Sequence, residues 1–324
     1  MNKTLSRRSL IQSGGLVAAA FMMPSLSVTK RIPRNRILVV CHLCGGNDGL
    51  NTVVPYRDPR YYALRPTIGI AEEQVLKIDH QVGFHPALAG LKELYREGKV
   101  AVVQNVGYEE PHRCHFRCVE AWHSGGPNRS CENGWLERHF GRETAAVSLG
   151  SEPPLAFDGA SCVRWENRGE GLRQAAEIIG SSPETRAIYV SMSGFDTHVR
   201  QPDQHRLALN RFGEAVSAFQ RFLEETKKAD DVAILAYSEF GRSVRENNSG
   251  GTDHGAAGPV FLIGNGVKGG LYGSIPDLGR VEDGGLCHEV DFRQVYAAVL
   301  DQWLGGDSAQ VLGKRFEPVD VFKA

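Results

Sequence analysis

Residues 37–51 read ILVVCHLCGGNDGLN. The first part, Ile37 to His42, is apolar and β-branched almost throughout, without the alternation of a half-exposed strand. Such a run is the signature of a strand covered on both faces, as in a parallel sheet. Four more follow, at Val100 to Val106, Ala187 to Met192, Val232 to Tyr237 and Val260 to Ile263. Segments of helical period separate them. Leu207, Leu209, Phe212, Val216, Phe219, Phe222 and Leu223 mark one face of a long helix ending near Lys228. Asp291 is placed to cap a later helix carrying Phe292, Val295, Val299, Leu300 and Trp303. The alternation predicts an α/β fold, a doubly wound, mostly parallel sheet with helices on both faces. Residues 124–134 and 161–171, rich in Gly, Ser, Asn and charge, read as loops.

Ahead of this pattern, Ser6-Arg7-Arg8-Ser9-Leu10-Ile11 sets an arginine pair before a weakly apolar run that holds no charge until Lys30. A positive segment followed by a moderately apolar one is the layout of a secretion signal, and the paired arginines are the address of the twin-arginine translocon. The expected organisation is therefore a signal at 1–27, read by that translocon, and one α/β domain at 28–324. Export places the protein in the periplasm or outside the cell, or at the membrane if the segment is retained as an anchor. No later stretch is apolar enough to span a bilayer.

The formal net charge of −1 becomes more negative by three without residues 1–27, which carry Lys3, Arg7 and Arg8 and no acids. Nothing in that balance provides a basic field for nucleic acid. All seven cysteines lie beyond residue 27, an odd number that leaves at least one unpaired. Cys41 and Cys44 form a C-x-x-C, but a zinc site of that kind wants a second such pair, and the sequence has none.

In open α/β sheets ligands gather at the carboxyl ends of the strands, so the residues just after each strand carry the functional reading. After the first comes Gly45-Gly46-Asn47-Asp48-Gly49-Leu50-Asn51, a turn with one hard anionic oxygen. It is not G-x-G-x-x-G, which argues against a dinucleotide fold. Ala187 to Met192 leads into Gly194-Phe195-Asp196-Thr197-His198, and Val232 to Tyr237 into Ser238-Glu239-Phe240-Gly241-Arg242. Gly251-Thr252-Asp253-His254-Gly255 stands just before the strand that opens at Pro259. Carboxylate and imidazole thus recur at the ends or starts of three strands, the donor set a divalent metal needs. The absence of G-x-S-x-G makes an α/β-hydrolase a poor fit. His80, His85, His123, His139 and His288 fall outside these clusters and read as surface or hydrogen-bonded core groups.

The stretches GGNDGLNTVVP (45–55), HPAL (85–88), HFR (115–117), GFDTH (194–198), SEFGR (238–242) and GGTDHG (250–255) resemble the twin-arginine-exported family called domain of unknown function 1501. The tail from Asp291 through Trp303 to Arg315-Phe316-Glu317-Pro318 does too. That family in turn resembles the alkaline phosphatase and sulfatase superfamily, so the resemblance implies an alkaline-phosphatase-like fold. It implies metal ligation by Asp48, Asp196, His198, Glu239, Asp253 and His254, with His115 and His205 behind them. The implied cofactor is one or two divalent ions, zinc, magnesium, calcium or manganese. Cys114, where the family usually carries a serine, or a water activated by the metal would attack, and Arg242 or Asn51 would steady the anion. Phe116 stands where the C-x-P-x-R of a sulfatase needs proline, so Cys114 is not placed for conversion to formylglycine. The stretch near 160–185 is shorter than the helical insert usual in relatives. The function expected is an exported metal-dependent hydrolase of phosphate or sulfate esters, acting on a small anionic ester or an envelope polysaccharide. The alternative is a non-catalytic envelope protein that binds metal or polysaccharide on the same fold.

Overall fold

The computed structural model describes residues 35–126, 133–141, 146–150, 155–157 and 171–324, together with the backbone of 162–165. The arginine pair, the whole of 1–27 and Cys131 lie outside these residues.

The five apolar runs of the sequence are strands of one nine-stranded sheet, made of β1 (Ile37–Leu43), β2 (Val100–Gly107), β3 (Ala146–Leu149), β4 (Cys162–Trp165), β5 (Ala187–Met192), β6 (Val232–Tyr237), β7 (Gly258–Ile263), β8 (Gly270–Tyr272) and β9 (Val290–Asp291). The order is β8-β2-β7-β6-β1-β5-β3-β4, with β9 also paired to β2. Only β7 runs against the rest. Its amino end therefore lies at the same edge as the carboxyl ends of β1, β5 and β6. That reversal lets a loop preceding a strand meet loops that follow strands.

Helices cover both faces, as the alternation requires: α1 (Ala89–Arg96), α2 (His115–Ser124), α3 (Trp135–Phe140), α4 (Gly171–Ser181), α5 (Gln201–Glu225) and α6 (Phe292–Ala298), the last continued as a π-helical turn over Val299–Leu304. Successive residues of a strand point to opposite faces. In β1, Ile37, Val39, Cys41 and Leu43 pack with α1, α4 and α5, while Leu38 and Val40 pack with α2, α3 and α6. Asp291 caps α6 through a reciprocal capping box with Gln294. Trp303 is fully buried, donates from Nε1 to the carbonyl of Ile37 at 3.1 Å, and lies 4.2 Å under the Arg36 guanidinium. The end of the helix that starts at Phe292 is thereby fixed to the start of β1.

Two local expectations change. Residues 162–165 are not loop but the strand β4, at the sheet's edge. An edge strand forms one ladder only, here parallel to β3, and needs no long apolar run. Leu207 is 48 % exposed. A helix turns by about 200° over two residues, so Leu207 and the buried Leu209 cannot share a face. The stripe that α5 buries runs instead through His205, Leu209, Phe212, Val216, Phe219 and Leu223. No helix among the described residues is long and apolar enough to cross a membrane.

Candidate metal centre

Loops from four strands meet at the carboxyl edge of β1, and their glycines decide how close they come. Gly45 and Gly46 have φ of +119° and +77°. A Cβ on Gly45 would stand 2.4 Å from the backbone nitrogen of Asp196, and one on Gly46 2.2 Å from the Phe240 ring. Only glycine combines that backbone with that contact.

Arg242 ties the loops together. Its guanidinium is buried, and Nε donates to the carbonyl of Gly46 at 2.7 Å. Nη1 donates to the carbonyl of Thr252 at 3.0 Å and toward His198 Nε2 at 3.2 Å. Nη2 donates to the carbonyls of Gly45 and Phe195 and to Asp196 Oδ1. Its donors are thus committed to the frame of the site.

Around Asp196 three imidazoles converge. His198 Nε2 lies 3.1 Å and His254 Nε2 3.6 Å from Asp196 Oδ1, and His115 Nε2 lies 3.7 Å from Oδ2. The two Nε2 atoms of His198 and His254 are 3.0 Å apart. The other ring nitrogens fix the tautomers, because each faces an acceptor. His115 Nδ1 donates to Glu239 Oε1 at 2.7 Å, His254 Nδ1 to the carbonyl of Arg113 at 2.9 Å, and His198 Nδ1 to Asp253 Oδ1 at 3.3 Å. An imidazole that donates from Nδ1 turns a lone pair outward at Nε2. The His198 lone pair already meets Arg242 Nη1, and those of His115 and His254 face the Asp196 carboxylate. One atom from each of His115, Asp196 and His254 falls within 4.8 Å of the others, close enough for one ion.

Glu239 and His115 stand in the reverse of the order expected from the sequence. The Glu239 carboxylate is buried and saturated by His115, by His42 Nε2 at 3.1 Å, by Ser238 Oγ at 3.1 Å and by the backbone N–H of Gly45 at 2.9 Å. It lies behind His115, in the position of a carboxylate that orients a ligating imidazole. Burial alone would raise its carboxyl, but His115 and His42 hold it far below the ordinary range. The same hydrogen bond to Glu239 raises the His115 imidazole.

Asp48 and Asn51 lie in a fully buried layer and not in the imidazole cluster. Asp48 Oδ2 pairs with Arg65 Nη1 at 2.6 Å and accepts from Gln201 Nε2, while Oδ1 has no hydrogen-bond partner among the described residues. Burial works to raise its carboxyl; Arg65 holds it below the usual value. Asn51 accepts from Arg65 and Tyr61 and donates to the carbonyl of Ile68, so it presents nothing to an anion. His205 lies in the same layer, 2.9 Å from Asn47 Oδ1, and burial pushes its imidazole down to about 3. Asp253 is exposed and touches the cluster through His198 alone. Cys114 is the exposed N-cap of α2, with no capping hydrogen bond from its side chain, between the Arg113 carbonyl and the His115 ring. His42, Arg65 and Gln201 carry no motif. The one signal for His42 is a polar residue inside an otherwise apolar strand, which burial makes costly unless it is bonded.

Residues 181–312 match the family described as "Protein of unknown function (DUF1501)", the family that the motifs resemble. GFDTH, SEFGR and GGTDHG fall within that span. No curated protein matches the sequence. The structure is similar to the C-terminal periplasmic domain of EcEptC from Escherichia coli, determined in complex with Zn, at 10% identity and a TM-score of 0.47 over 72% of this chain and 73% of that one. It is also similar to a protein in the alkaline phosphatase superfamily from Vibrio parahaemolyticus, at 11% identity and 0.46 over 88% and 71%. A third similar structure is the lipoteichoic acid synthase LtaP from Listeria monocytogenes, at 10% identity and 0.45 over 88% and 74%.

The Glu239–His115 pair gives the metal-free protein a measurable titration. The folded value of His115 stands above the ordinary 6.5. The pair therefore stabilises the fold fully below that pH and loses its contribution as pH rises through the raised value. In Glu239→Gln the His115 resonance, followed by NMR in chelator, is expected to titrate close to the ordinary value. An unchanged midpoint would show that Glu239 does not set it.

Proposed function

We propose that this protein is an exported, metal-dependent hydrolase of phosphate or sulfate esters. The observation that carries the reading is the convergence of acceptors: the Nε2 lone pairs of His115 and His254 beside the Asp196 carboxylate, each of the two imidazoles held from behind. Acceptors facing acceptors repel unless a proton or a cation lies between them. Nitrogen and carboxylate donors of this kind suit a divalent ion of the zinc class. His115, Asp196 and His254 would hold it, with His198 beside them. Asp48, with one buried oxygen unpartnered, is the carboxylate left for a second ion.

A bound divalent ion would supply positive charge to the ester's oxyanion. The chain supplies the rest. Glu239, the Arg113 carbonyl and Asp253 keep the three rings aimed, and Arg242 keeps the loops that carry them in register. Cys114 offers an exposed thiol at the start of the ten-residue helix α2. Its attack would form a bond from Sγ to phosphorus or sulfur as the bond to the ester oxygen breaks, that oxygen leaving with the proton the thiol gives up; water would then cleave the bond to Sγ, releasing phosphate or sulfate and restoring the thiol.

Asp196→Asn and His254→Ala are each expected to abolish stoichiometric zinc binding in calorimetry and to remove hydrolysis of aryl phosphate and aryl sulfate esters. Cys114→Ser separates the two nucleophiles: activity lost identifies the thiolate, and activity kept identifies water. A wild-type protein that binds no divalent metal and cleaves neither ester would overturn the reading in favour of a non-catalytic envelope protein. Residues 1–27 are proposed to route the folded protein through the twin-arginine translocon. In fractionation, Arg7→Lys with Arg8→Lys should leave it in the cytoplasm, and normal export of that variant would refute the route.

A further inference from the structure

The second cysteine of the C-x-x-C has a partner that the metal reading does not use. Strand alternation turns Cys41 into the apolar face, where Sγ rests 3.3 Å from the Met192 sulfur and burial pushes the thiol up. Cys44 follows His42 on the other side, half-buried, with Sγ 3.3 Å from His42 Nδ1. His42 Nε2 lies 3.1 Å from Glu239 Oε2. An ionised carboxylate only accepts, so Nε2 carries the ring proton and Nδ1 presents a lone pair to the thiol. The ring cannot swing away: it stacks on Tyr237 at 5.3 Å and meets the edges of Tyr189 and His123 at 6.1 and 6.2 Å. The backbone that carries the thiol is held as well, because the Cys44 N–H donates to the Met192 carbonyl at 2.8 Å and the Cys44 carbonyl accepts from Phe195 at 3.3 Å. A nucleophile on a base that is itself oriented by an acid is the arrangement of a reactive cysteine.

We infer that Cys44, His42 and Glu239 form a second reactive centre, in which Cys44 is the nucleophile toward small hydroperoxides. The thiol is partly covered, which favours a small electrophile over a bulky ester. The Cys44 thiol passes its proton to His42 Nδ1, and Sγ attacks the terminal peroxide oxygen. The S–O bond forms as the O–O bond breaks, and the departing oxygen takes the proton from His42 and leaves as water or an alcohol. Sulfur is oxidised to the sulfenic acid and the peroxide is reduced. The centre shares Glu239 with His115 of the metal cluster, but its test reads the Cys44 sulfur directly, so it can fail without the metal reading failing.

The test is a pulse of hydrogen peroxide on the purified full-length protein with dimedone present, read by peptide mass spectrometry. Cys287, which is also half-buried, is the internal reference. Cys44 is expected to gain the dimedone adduct about tenfold faster than Cys287, the order of gain that a base within hydrogen-bond reach of the sulfur gives. His42→Gln should bring the ratio close to one while leaving the rate at Cys287 unchanged, which also shows that the variant is folded. Equal rates at Cys44 and Cys287 in the unmodified sequence would overturn the proposal without recourse to any variant. So would a ratio that His42→Gln leaves untouched.

Discussion

The site depends on one buried guanidinium. Arg242 spends its donors on the carbonyls of Gly45, Gly46, Phe195 and Thr252 and on Asp196 and His198. Those residues belong to the loops after β1 and β5 and to the loop before β7. A buried backbone carbonyl left unpaired costs about 1–3 kcal/mol, and here one side chain reaches four, of which that of Phe195 also accepts from the Thr197 N–H. Lysine could not replace it, because a single ammonium lacks the planar fork that reaches separate loops at once. Removing Arg242 would therefore release three loops together and scatter the imidazoles.

Beneath this frame, charge is arranged in two layers. Asp48 pairs with Arg65 through Oδ2 in the buried interior, with Gln201 and His205 completing the bonds of the Asn47–Asp48 turn. Closer to the surface, Glu239 places one negative charge between His42 and His115, on opposite sides of its carboxylate. A buried carboxylate with one imidazole would already be satisfied; with two it links the thiol of Cys44 to the ring of His115. The inner layer builds the platform and the outer one aims the donors.

Five strands were legible because a sheet covered on both faces leaves continuous apolar runs such as Ile37 to His42, and the acidic and histidine clusters were legible because they flank those runs; the short strands β3, β8 and β9 leave no such run. The edge strand β4 was not, since one ladder demands little of the sequence. Nor could the sequence tell which of Glu239 and His115 faces outward. That depends on the Gly45 N–H and on His42, which reach Glu239 from a distant segment and draw it into the interior. Asn51 and Arg242 look like anion binders in a list of residues, yet buried carbonyls and neighbouring side chains claim their polar atoms first. Arg65 stands in an unremarkable loop, and only the fold brings it to Asp48.

The central claim is that the Nε2 atoms and the Asp196 carboxylate are aimed at a cation. The most direct measurement is the anomalous scattering of zinc in crystals of the protein grown or soaked with the metal. A peak touching His115 Nε2, His254 Nε2 and the Asp196 carboxylate is the predicted result. A zinc peak that bypasses these three residues, or saturating zinc with no peak among them, would contradict it.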